Sequence, residues 1–483
     1  MSSLSPAQRQ ALGTLLRASP FAAVARELGE RFAAAGHKLY LVGGTVRDAL
    51  LERSSPDVDF TTDATPDQIL AIVKTGGWAD AVWLQGARFG TVGARKGGLR
   101  LEVTTFRSEV YLEDSRKPEV TFGRSIEEDL ARRDFTVNAM AVRLPDGRFV
   151  DPFGGLADLA NRRLRTPSTP AVSFEDDPLR MLRAARFVAQ LELVPTPDTV
   201  AAIGERVGRL EIVSRERIRD ELTKLLLGRA PGKGLWLVVR TGLADRFLPE
   251  LPALALEQDP LHRHKDVLAH TIAVVERATA FDADRPDLVL RLAALLHDVG
   301  KPRTRRVGPD GVSFHLHEVV GAKMAERRLV ELRYSNDVVH DVRQLVLLHL
   351  RFHTYRLGWT DSAVRRYVRD AGELLDRLNF LVRSDCTTRN PFKARQLAAA
   401  CDELEARIAR LEAEEELARI KPPLNGDEVM ALLGVRPGPL VGRALGHLLE
   451  LRLDRGPMSK EQATEALLAW ARDQGVEVPD RPS

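Results

Sequence analysis

Cysteine is almost missing from this sequence. The two present, Cys386 and Cys401, form no CxxC pair, which excludes both a disulfide framework and a cysteine zinc site. No run of 18 apolar residues occurs, so nothing reads as a membrane-spanning helix. The stretch MSSLSPAQRQALGTLLRASPF lacks the charged, then apolar, then small-residue layout of a secretory signal. A cytoplasmic protein without membrane contact is expected. A strong charge of one sign is lacking too: the net charge is +3, which permits a nucleic-acid partner without demanding one. Internal repeats and low-complexity tracts are also absent, and no protein partner is evident.

What is present is size and a change of pattern. A chain of 483 residues, 44% hydrophobic and 29% charged, can bury several cores, roughly three at about 150 residues each. From residue 38 to about 150, short β-rich runs (KLYLVG, DVDFTT, FGTVGAR, LRLEVTTF, VNAMAVRL) alternate with helical stretches such as TPDQILAIVKTGG. That pattern predicts a small α/β domain. After DPFGGLADLANRRLRTPSTP nearly every segment has helical spacing, including DPLRMLRAARFVAQL, RERIRDELTKLLLG and VLRLAALLHDVG. A second break falls at LPALALEQDPLHRHK, and nine of the eleven histidines lie between His262 and His353. A third break follows CDELEARIARLEAEEELARI, at KPPLNG.

Chemistry concentrates first in LVGGTVRDALLERSSPDVDF. Gly43 and Gly44 stand where a strand gives way to the helical TVRDALL, so bare backbone amides can meet a phosphate there, with Arg47 one turn further on. Asp57 and Asp59 lie two apart on a strand and share a face. Hard carboxylates of this kind suit Mg²⁺ held together with substrate phosphates. Either feature alone is common turn chemistry; together they describe phosphoryl transfer with metal assistance. Glu102, on the opposite strand face from Leu99, Leu101 and Val103, fits equally as a third ligand or as a solvated strand residue.

The runs LVGGTVRD, DVDF, EVTTFR, RRDFTVNAMA, DPFGG and DDPLRMLRAARF resemble, in order and spacing, the motifs of class II template-independent RNA nucleotidyltransferases, the bacterial CCA-adding enzymes and poly(A) polymerases. The likeness covers about residues 35 to 230 and continues through SRERIRDELTKLL. It implies a nucleotidyltransferase head with a small mixed sheet, followed by all-α neck, HD and tail domains that hold tRNA. The boundaries expected are 25–165 for the head, 166–255 for the neck, 260–395 for the HD domain and 396–475 for the tail. By motif, Gly44 and Arg47 fall on triphosphate contacts, and Asp57 and Asp59 on ligands of Mg²⁺. Arg133, Asp134 and Asn138 fall on the ribose and phosphate side, and Asp177, Arg180, Arg183 and Arg186 on a nucleotide-binding helix. The usual Glu-Asp at the start of that helix reads Asp176-Asp177 here, which keeps the charge.

The reading of that helix has its own physics. Asp177 and Arg180 are i and i+3, neighbours on a helix face. A carboxylate only accepts hydrogen bonds and a guanidinium only donates. Cytosine and adenine present an amine donor beside a ring acceptor, whereas guanine and uracil reverse the order. A fixed Asp and Arg therefore admit C and A and oppose G and U without a template. The competing reading is a helix-surface ion pair worth about 0.3–0.5 kcal/mol.

A separate pattern occupies the histidine-rich middle. His270 in LAHTIAVVE, His297-Asp298 in AALLHDVGKPRT and Asp385 in FLVRSDCTTR resemble the HD superfamily of metal-dependent phosphohydrolases. His317 and His349 can add ligands. Such a site suits Ni²⁺, Mn²⁺ or Mg²⁺, and its His-Asp dipeptide interrupts an apolar helix where two ionisable groups need partners. A satisfied polar cluster in a helical scaffold is the alternative. Arg365, Arg366, Arg369, Arg377, Arg383, Arg389, Lys393 and Arg395 make the following stretch basic, which fits an RNA backbone or a solvated helix face.

The expected function is template-independent addition of C, C and A to the tRNA 3′ end from CTP and ATP. A poly(A) polymerase, or a phosphohydrolase with an RNA-binding head, are the alternatives.

Overall fold

The computed structural model describes residues 19–53, 57–84, 90–110, 119–122, 125–256, 266–282, 284–309, 311–386, 390–415 and 421–476. Its contacts divide the chain into two compact units, Met1–Pro249 and Glu250–Ser483. Among the described residues no helix is long and apolar enough to cross a membrane.

Among the described residues, the first helix of this unit is α1 (Ala22–Ala34), whose Ala25, Leu28 and Phe32 are buried at the spacing of one helix face. Strand β1 (Leu39–Val42), buried at all four positions, leads into α2 (Gly44–Leu50). Then come β2 (Asp57–Thr62), α3 (Pro66–Lys74), β3 (Ala81–Leu84), β4 (Thr91–Lys96) and β5 (Leu99–Thr105). After α4 (Ile126–Ala131), β6 (Ala141–Leu144) and β7 (Phe149–Val150) complete a seven-stranded sheet ordered β3-β4-β5-β2-β1-β6-β7. Helix α3 starts where the sequence marks it, since Thr65 and Gln68 form a reciprocal capping box. Only β2 and β5 run parallel, so the sheet is mixed. Their register sets Asp57 beside Arg100 and Asp59 beside Glu102. A hairpin of Arg107–Val110 with Glu119–Phe122 stands apart from this sheet.

One expected strand is half right. VNAMAVRL begins as a 3-10 turn at Thr136–Asn138, whose three residues are buried, and becomes strand only at Ala141. Beyond the sheet come α5 (Gly155–Ala160), α6 (Pro170–Asp176), α7 (Leu179–Leu191), α8 (Pro197–Arg206), α9 (Arg215–Leu226) and α10 (Pro231–Arg240), with a short parallel pairing of Arg163–Leu164 and Val194–Pro195 between them. Helix α7 is buried on nearly every side, packed by α9 and α10.

Among the described residues of the second unit the regular elements are helices, apart from a two-stranded ribbon, Arg306–Gly308 with Gly311–Ser313. Helices α11 (Val267–Ala278), α12 (Leu288–Leu296), α13 (Lys301–Thr304), α14 (His317–Glu331) and α15 (Asn336–Leu348) are followed by α16 (Asp361–Ala371) and α17 (Leu375–Asp385). The His297-Asp298 dipeptide ends α12 instead of interrupting it, since the helix closes at Leu296. The chain continues through α18 (Pro391–Glu415), α19 (Gly426–Leu433), α20 (Pro439–Arg455) and α21 (Lys460–Asp473). The last three share a core around Val429, Leu448 and Leu467. The sequence break at LPALALEQDPLHRHK runs into residues 257–265, outside the described residues, as are Arg389 and the end of CDELEARIARLEAEEELARI.

Candidate active site

Strand β1 ends at a glycine whose conformation other residues rarely adopt. Gly43 has φ +67° and ψ −132° and precedes α2, and a Cβ there would meet the Arg133 guanidinium at 2.7 Å. The glycine pair thus turns the chain and lets Arg133 approach. Asp57 is exposed and Asp59 half-buried, on the same face of β2, with Glu102 beside Asp59 on β5. Thr45 on α2 accepts the Asp59 backbone N–H at 2.9 Å, fixing the strand against the helix. Burial pushes the Asp59 carboxyl above its ordinary range against the pull of Arg133, and Glu102 and Asp57 push it the same way. Asp57, Asp59 and Glu102 thus put hard oxygen donors on neighbouring strands, with Glu102 Oε1 also 3.1 Å from the Arg100 guanidinium.

Asp59 shares a cavity of about 340 Å³ with Gly43, Gly44, Arg133 and Asp134, and also with Asp177, Arg180 and Arg183. Asp59 and the glycine pair therefore share one space with the helical residues Asp177, Arg180 and Arg183, whereas Asp57, Glu102 and Arg47 are not among its lining residues. Asp134 is its hub: Oδ1 accepts from the Asn138 amide at 2.9 Å and the Phe135 N–H at 2.8 Å, and Oδ2 from Arg183 Nε at 2.8 Å. Burial alone would raise the Asp134 carboxyl, yet Arg183 and Asn138 hold it down to about 2. Arg47 donates to Asp48 at 2.9 Å and to Asn138 Oδ1 at 2.5 Å.

Two expectations about the helical residues change. Asp177 does not sit on α7: it precedes the helix in extended conformation, with Oδ1 accepting the Leu179 N–H at 3.1 Å and Oδ2 the Arg217 Nη2 at 3.1 Å. Arg180 is turned to Ser173, donating to Oγ at 2.9 Å, and to the Arg132 carbonyl. The two still line the same cavity, without the mutual ion pair that i, i+3 spacing implies, because Pro178 delays the helix start. Arg186 faces Glu221 at 3.0 Å in a buried pair and is not among the cavity residues. Burial lowers its guanidinium to about 10. Sequence reasoning missed Arg132, which lines the cavity, and Arg217; the first adjoins a flagged residue, but no spacing rule links Arg217 to a residue 40 positions earlier.

In the second unit His270, His297, Asp298 and Asp385 come together as expected, and His317 and His349 join them. Asp298 Oδ2 lies 3.3 Å from His297 Nε2 and 3.7 Å from His270 Nε2, while Oδ1 lies 3.3 Å from His317 Nε2 and 4.0 Å from His349 Nε2. Asp385 Oδ1 lies 2.9 Å from His270 Nε2. The Nδ1 atoms of His297, His317 and His349 face the carbonyls of Ala294, Phe314 and Val346 at 2.6–2.8 Å. Those carbonyls only accept, so the three Nε2 lone pairs are left aimed inward. All three Nε2 atoms are buried without a hydrogen-bond partner, an arrangement that fits a metal ion. Burial lowers His349 to about 3, so its imidazole is neutral near pH 7. Burial opposes ionisation of Asp298, but His297, His317 and Lys301 hold it well below the carboxylate range.

Gly300 makes the cluster compact, since a Cβ there would collide with the His317 carbonyl at 2.1 Å. Lys301, 2.6 Å from Asp298, and His353, 3.4 Å from Asp385, were not anticipated, although Lys301 follows the His-Asp pair by one turn. The basic stretch that follows is largely self-neutralised: Arg366 pairs with Glu450 and Asp454, Arg377 with Asp287, and Arg383 with Asp402 and Glu405. Arg365 donates to the Leu453 carbonyl, whereas Lys393 and Arg395 are exposed.

Residues 39–165 match the poly A polymerase head domain, 194–254 the probable RNA and SrmB-binding site of polymerase A, and 267–411 the HD domain. The chain is 36% identical to the A-adding tRNA nucleotidyltransferase of Deinococcus radiodurans over 90% of its length and 95% of the relative's. It is 34% identical to the CC-adding tRNA nucleotidyltransferase of Thermus thermophilus, over 91% and 96%. A CCA-adding enzyme of Anoxybacillus flavithermus shares 32% over 90% and 93%. The solved Bacillus stearothermophilus CCA-adding enzyme with CTP aligns with a TM-score of 0.67 at 26% identity, covering 98% of this chain and 99% of that one. The Thermotoga maritima CCA-adding enzyme with tRNA aligns at 0.62, over 95% and 98%, and at 20% identity shows the shared fold.

A mixed sheet with paired strand carboxylates, followed by helices and an HD domain, defines a nucleotidyltransferase. The chain belongs to the CCA-adding tRNA nucleotidyltransferase family.

Proposed function

We propose that this protein builds or repairs the tRNA 3′ terminus, adding C, C and A from CTP and ATP. The observation that carries the reading is the single cavity joining Asp59 and the glycine turn to Asp177 and Arg180. Asp57, Asp59 and Glu102 would hold Mg²⁺, which when bound supplies charge neutralisation at the attacking 3′-hydroxyl and the leaving pyrophosphate. Gly44, Arg47 and Arg133 face the triphosphate, Asp134 and Asn138 orient the ribose side, and Asp177 with Arg180 reads the base edge. Arg183 holds Asp134; Arg186, anchored to Glu221, acts through the helix. The domain division proposed is head 25–165, neck 166–255, HD 260–395 and an RNA-holding tail 396–475. The reading is tested by giving the protein tRNA transcripts that end before, within and after CCA, with each nucleotide separately, and sequencing the products. Two C and one A in order is expected. Addition of only C, only A, or a run of A assigns the protein instead to the partial adders or to the poly(A) polymerases.

A second activity is favoured by the three buried Nε2 atoms of the HD cluster. We propose that this region hydrolyses phosphate esters, 2′,3′-cyclic phosphates of damaged RNA ends among them, since their removal restores a terminus the head can extend. His270, His297, Asp298 and Asp385, with His317 and His349, would hold Ni²⁺, Mn²⁺ or Mg²⁺, which when bound lowers the pKa of a coordinated water. Lys301 neutralises Asp298 at the rim. The check is metal-dependent phosphate release, or ring opening, by wild type and His297→Ala.

A further inference from the structure

The two cysteines of the chain take no part in either activity proposed above, yet the fold brings them together. Cys386 caps the C-terminal end of α17 and is half-buried. Cys401 lies on α18, on the face that buries Leu404, Ile408 and Leu411, and is only 4% exposed. Arg383, one turn before Cys386, holds α17 against this part of α18 by pairing with Asp402 at 2.6 Å and Glu405 at 2.8 Å. Beside that clamp the two thiols, both free, hydrogen-bond to each other. The sole two cysteines in 483 residues thus meet side chain to side chain from separate helices. Their position has a consequence for the HD cluster. Asp385, next to Cys386, has its Oδ1 2.9 Å from His270 Nε2, and the Cys386 carbonyl accepts from Arg277 Nη1 at 3.1 Å. His270 and Arg277 both belong to α11, so the end of α17 is held by α11 and by α18 at once.

We propose that Cys386 and Cys401 are a redox modification site: a hydroperoxide converts them to one reversible disulfide, which draws Asp385 out of its place in the HD cluster. A single bond of this kind is not the framework that so few cysteines exclude. Cys386 Sγ, the more exposed, attacks one peroxide oxygen, so that the O–O bond breaks and the S–O bond of a sulfenic acid forms. The departing hydroxide takes the thiol proton and leaves as water. Cys401 Sγ then attacks Cys386 Sγ, the S–O bond breaks, and the second hydroxide leaves as water with the Cys401 proton. Two thiols have lost two electrons and two protons, and hydrogen peroxide has become two waters. Burial suits Cys401 to the second step, since it has only Cys386 to meet. An S–S bond is about 2.05 Å long, shorter than any hydrogen bond between thiols, so Cys386 is pulled toward α18 and Asp385 moves with it, away from His270.

The link to a metal rests on the reading that the HD cluster binds a divalent ion; the disulfide itself does not. The experiment takes the reduced, metal-free full chain as wild type, Cys386→Ser and Cys401→Ser, and exposes each to hydrogen peroxide. Intact mass and maleimide labelling count the thiols, and Ni²⁺ is titrated calorimetrically before oxidation, after it, and after dithiothreitol has been added and removed. Wild type is expected to lose both thiols and the mass of two hydrogens, to stay monomeric on a non-reducing gel, and to bind Ni²⁺ about tenfold more weakly, the scale of disturbing a ligand's surroundings. Dithiothreitol should restore both properties. Cys401→Ser should stop at a Cys386 sulfenic acid that dimedone captures. Cys386→Ser should keep its buried thiol and the same Ni²⁺ affinity with and without peroxide.

Oxygen added to Cys386 while the Cys401 thiol survives in wild type, or a disulfide formed between chains, overturns the dithiol. A disulfide that forms within the chain and leaves Ni²⁺ affinity unchanged overturns the link to Asp385. A reduced wild type that binds no Ni²⁺ overturns the HD reading instead, and the disulfide then stands or falls on the mass and the thiol count.

Discussion

The head cavity and the HD cluster both gather carboxylates, and they solve the resulting charge problem differently. In the head, arginines surround the acids: Arg183 on Asp134, Arg133 near Asp59, Arg217 on Asp177. In the HD cluster, the imidazoles of His270, His297, His317, His349 and His353 surround Asp298 and Asp385, with the Nε2 atoms of His297, His317 and His349 left without hydrogen-bond partners. The first arrangement presents fixed positive charge to a polyanionic nucleotide in an open cleft and offers only hard oxygens to a cation. The second offers buried nitrogens that favour a borderline metal. The two donor sets therefore differ in what they offer a cation, hard oxygens in the head and imidazole nitrogens beside carboxylates in the HD cluster.

The comparison breaks hardest at Asp59. Asp59→Ala, or Asp57→Ala, should cut nucleotide addition by at least about 10²–10³-fold, the scale of losing electrostatic stabilisation at a reacting centre, while tRNA binding measured by gel shift stays close to wild type. Addition near wild type at saturating Mg²⁺ would remove these residues from the metal site. Next in size, His297→Ala should weaken Ni²⁺ or Mn²⁺ binding, measured by calorimetry, by more than the roughly 10–100-fold typical of losing an outer-shell partner. Nucleotide addition should be unaffected.

A third effect sharpens the contrast through pH. Asp134 is held at about 2, below the ordinary 3.8. A depressed carboxyl contributes stability that is present above its unfolded pKa and lost as pH falls through the folded one. Asp134→Asn should therefore cost roughly 2 kcal/mol near neutrality, and chemical denaturation should show the gap closing between about pH 4 and 2. A gap independent of pH would mean that the carboxyl's charge is not what Arg183 holds. The smallest effect is on base choice: Asp177→Ala should reduce discrimination against UTP and GTP by about 1–3 kcal/mol, toward the low end because Asp177 is partly exposed. Slowing of all nucleotides alike would make Asp177 structural.

Most of the head was legible because its signals are local. Short β-rich runs marked β1, β2 and β5, the helical spacing of TPDQILAIVKTGG marked α3, and period two put Asp57 and Asp59 on one face. Strand β3, with Ala81, Val82 and Trp83 all half-buried, lies at the sheet edge and carries little alternation to read. Glu102 could not be assigned from its own strand, because only the pairing register of β2 with β5 sets it beside Asp59. The contacts of Asp177 and Arg186 were illegible for the same reason: both partners, Arg217 and Glu221, lie on a helix distant in sequence. In the HD cluster the ligands were named by type, and the inward aim of each Nε2 emerged only with the carbonyls that hold each Nδ1.

The most direct test of two independent sites in one chain is a crossed assay. Wild type, Asp59→Ala and His297→Ala are each given a CCA-lacking tRNA with CTP and ATP, and separately a 2′,3′-cyclic phosphate with Ni²⁺, Mn²⁺ or Mg²⁺. The account predicts that Asp59→Ala loses addition and keeps hydrolysis, and that a folded His297→Ala does the reverse. Loss of both activities in either folded variant would contradict it, and so would a wild type that binds no metal through His297 and hydrolyses nothing.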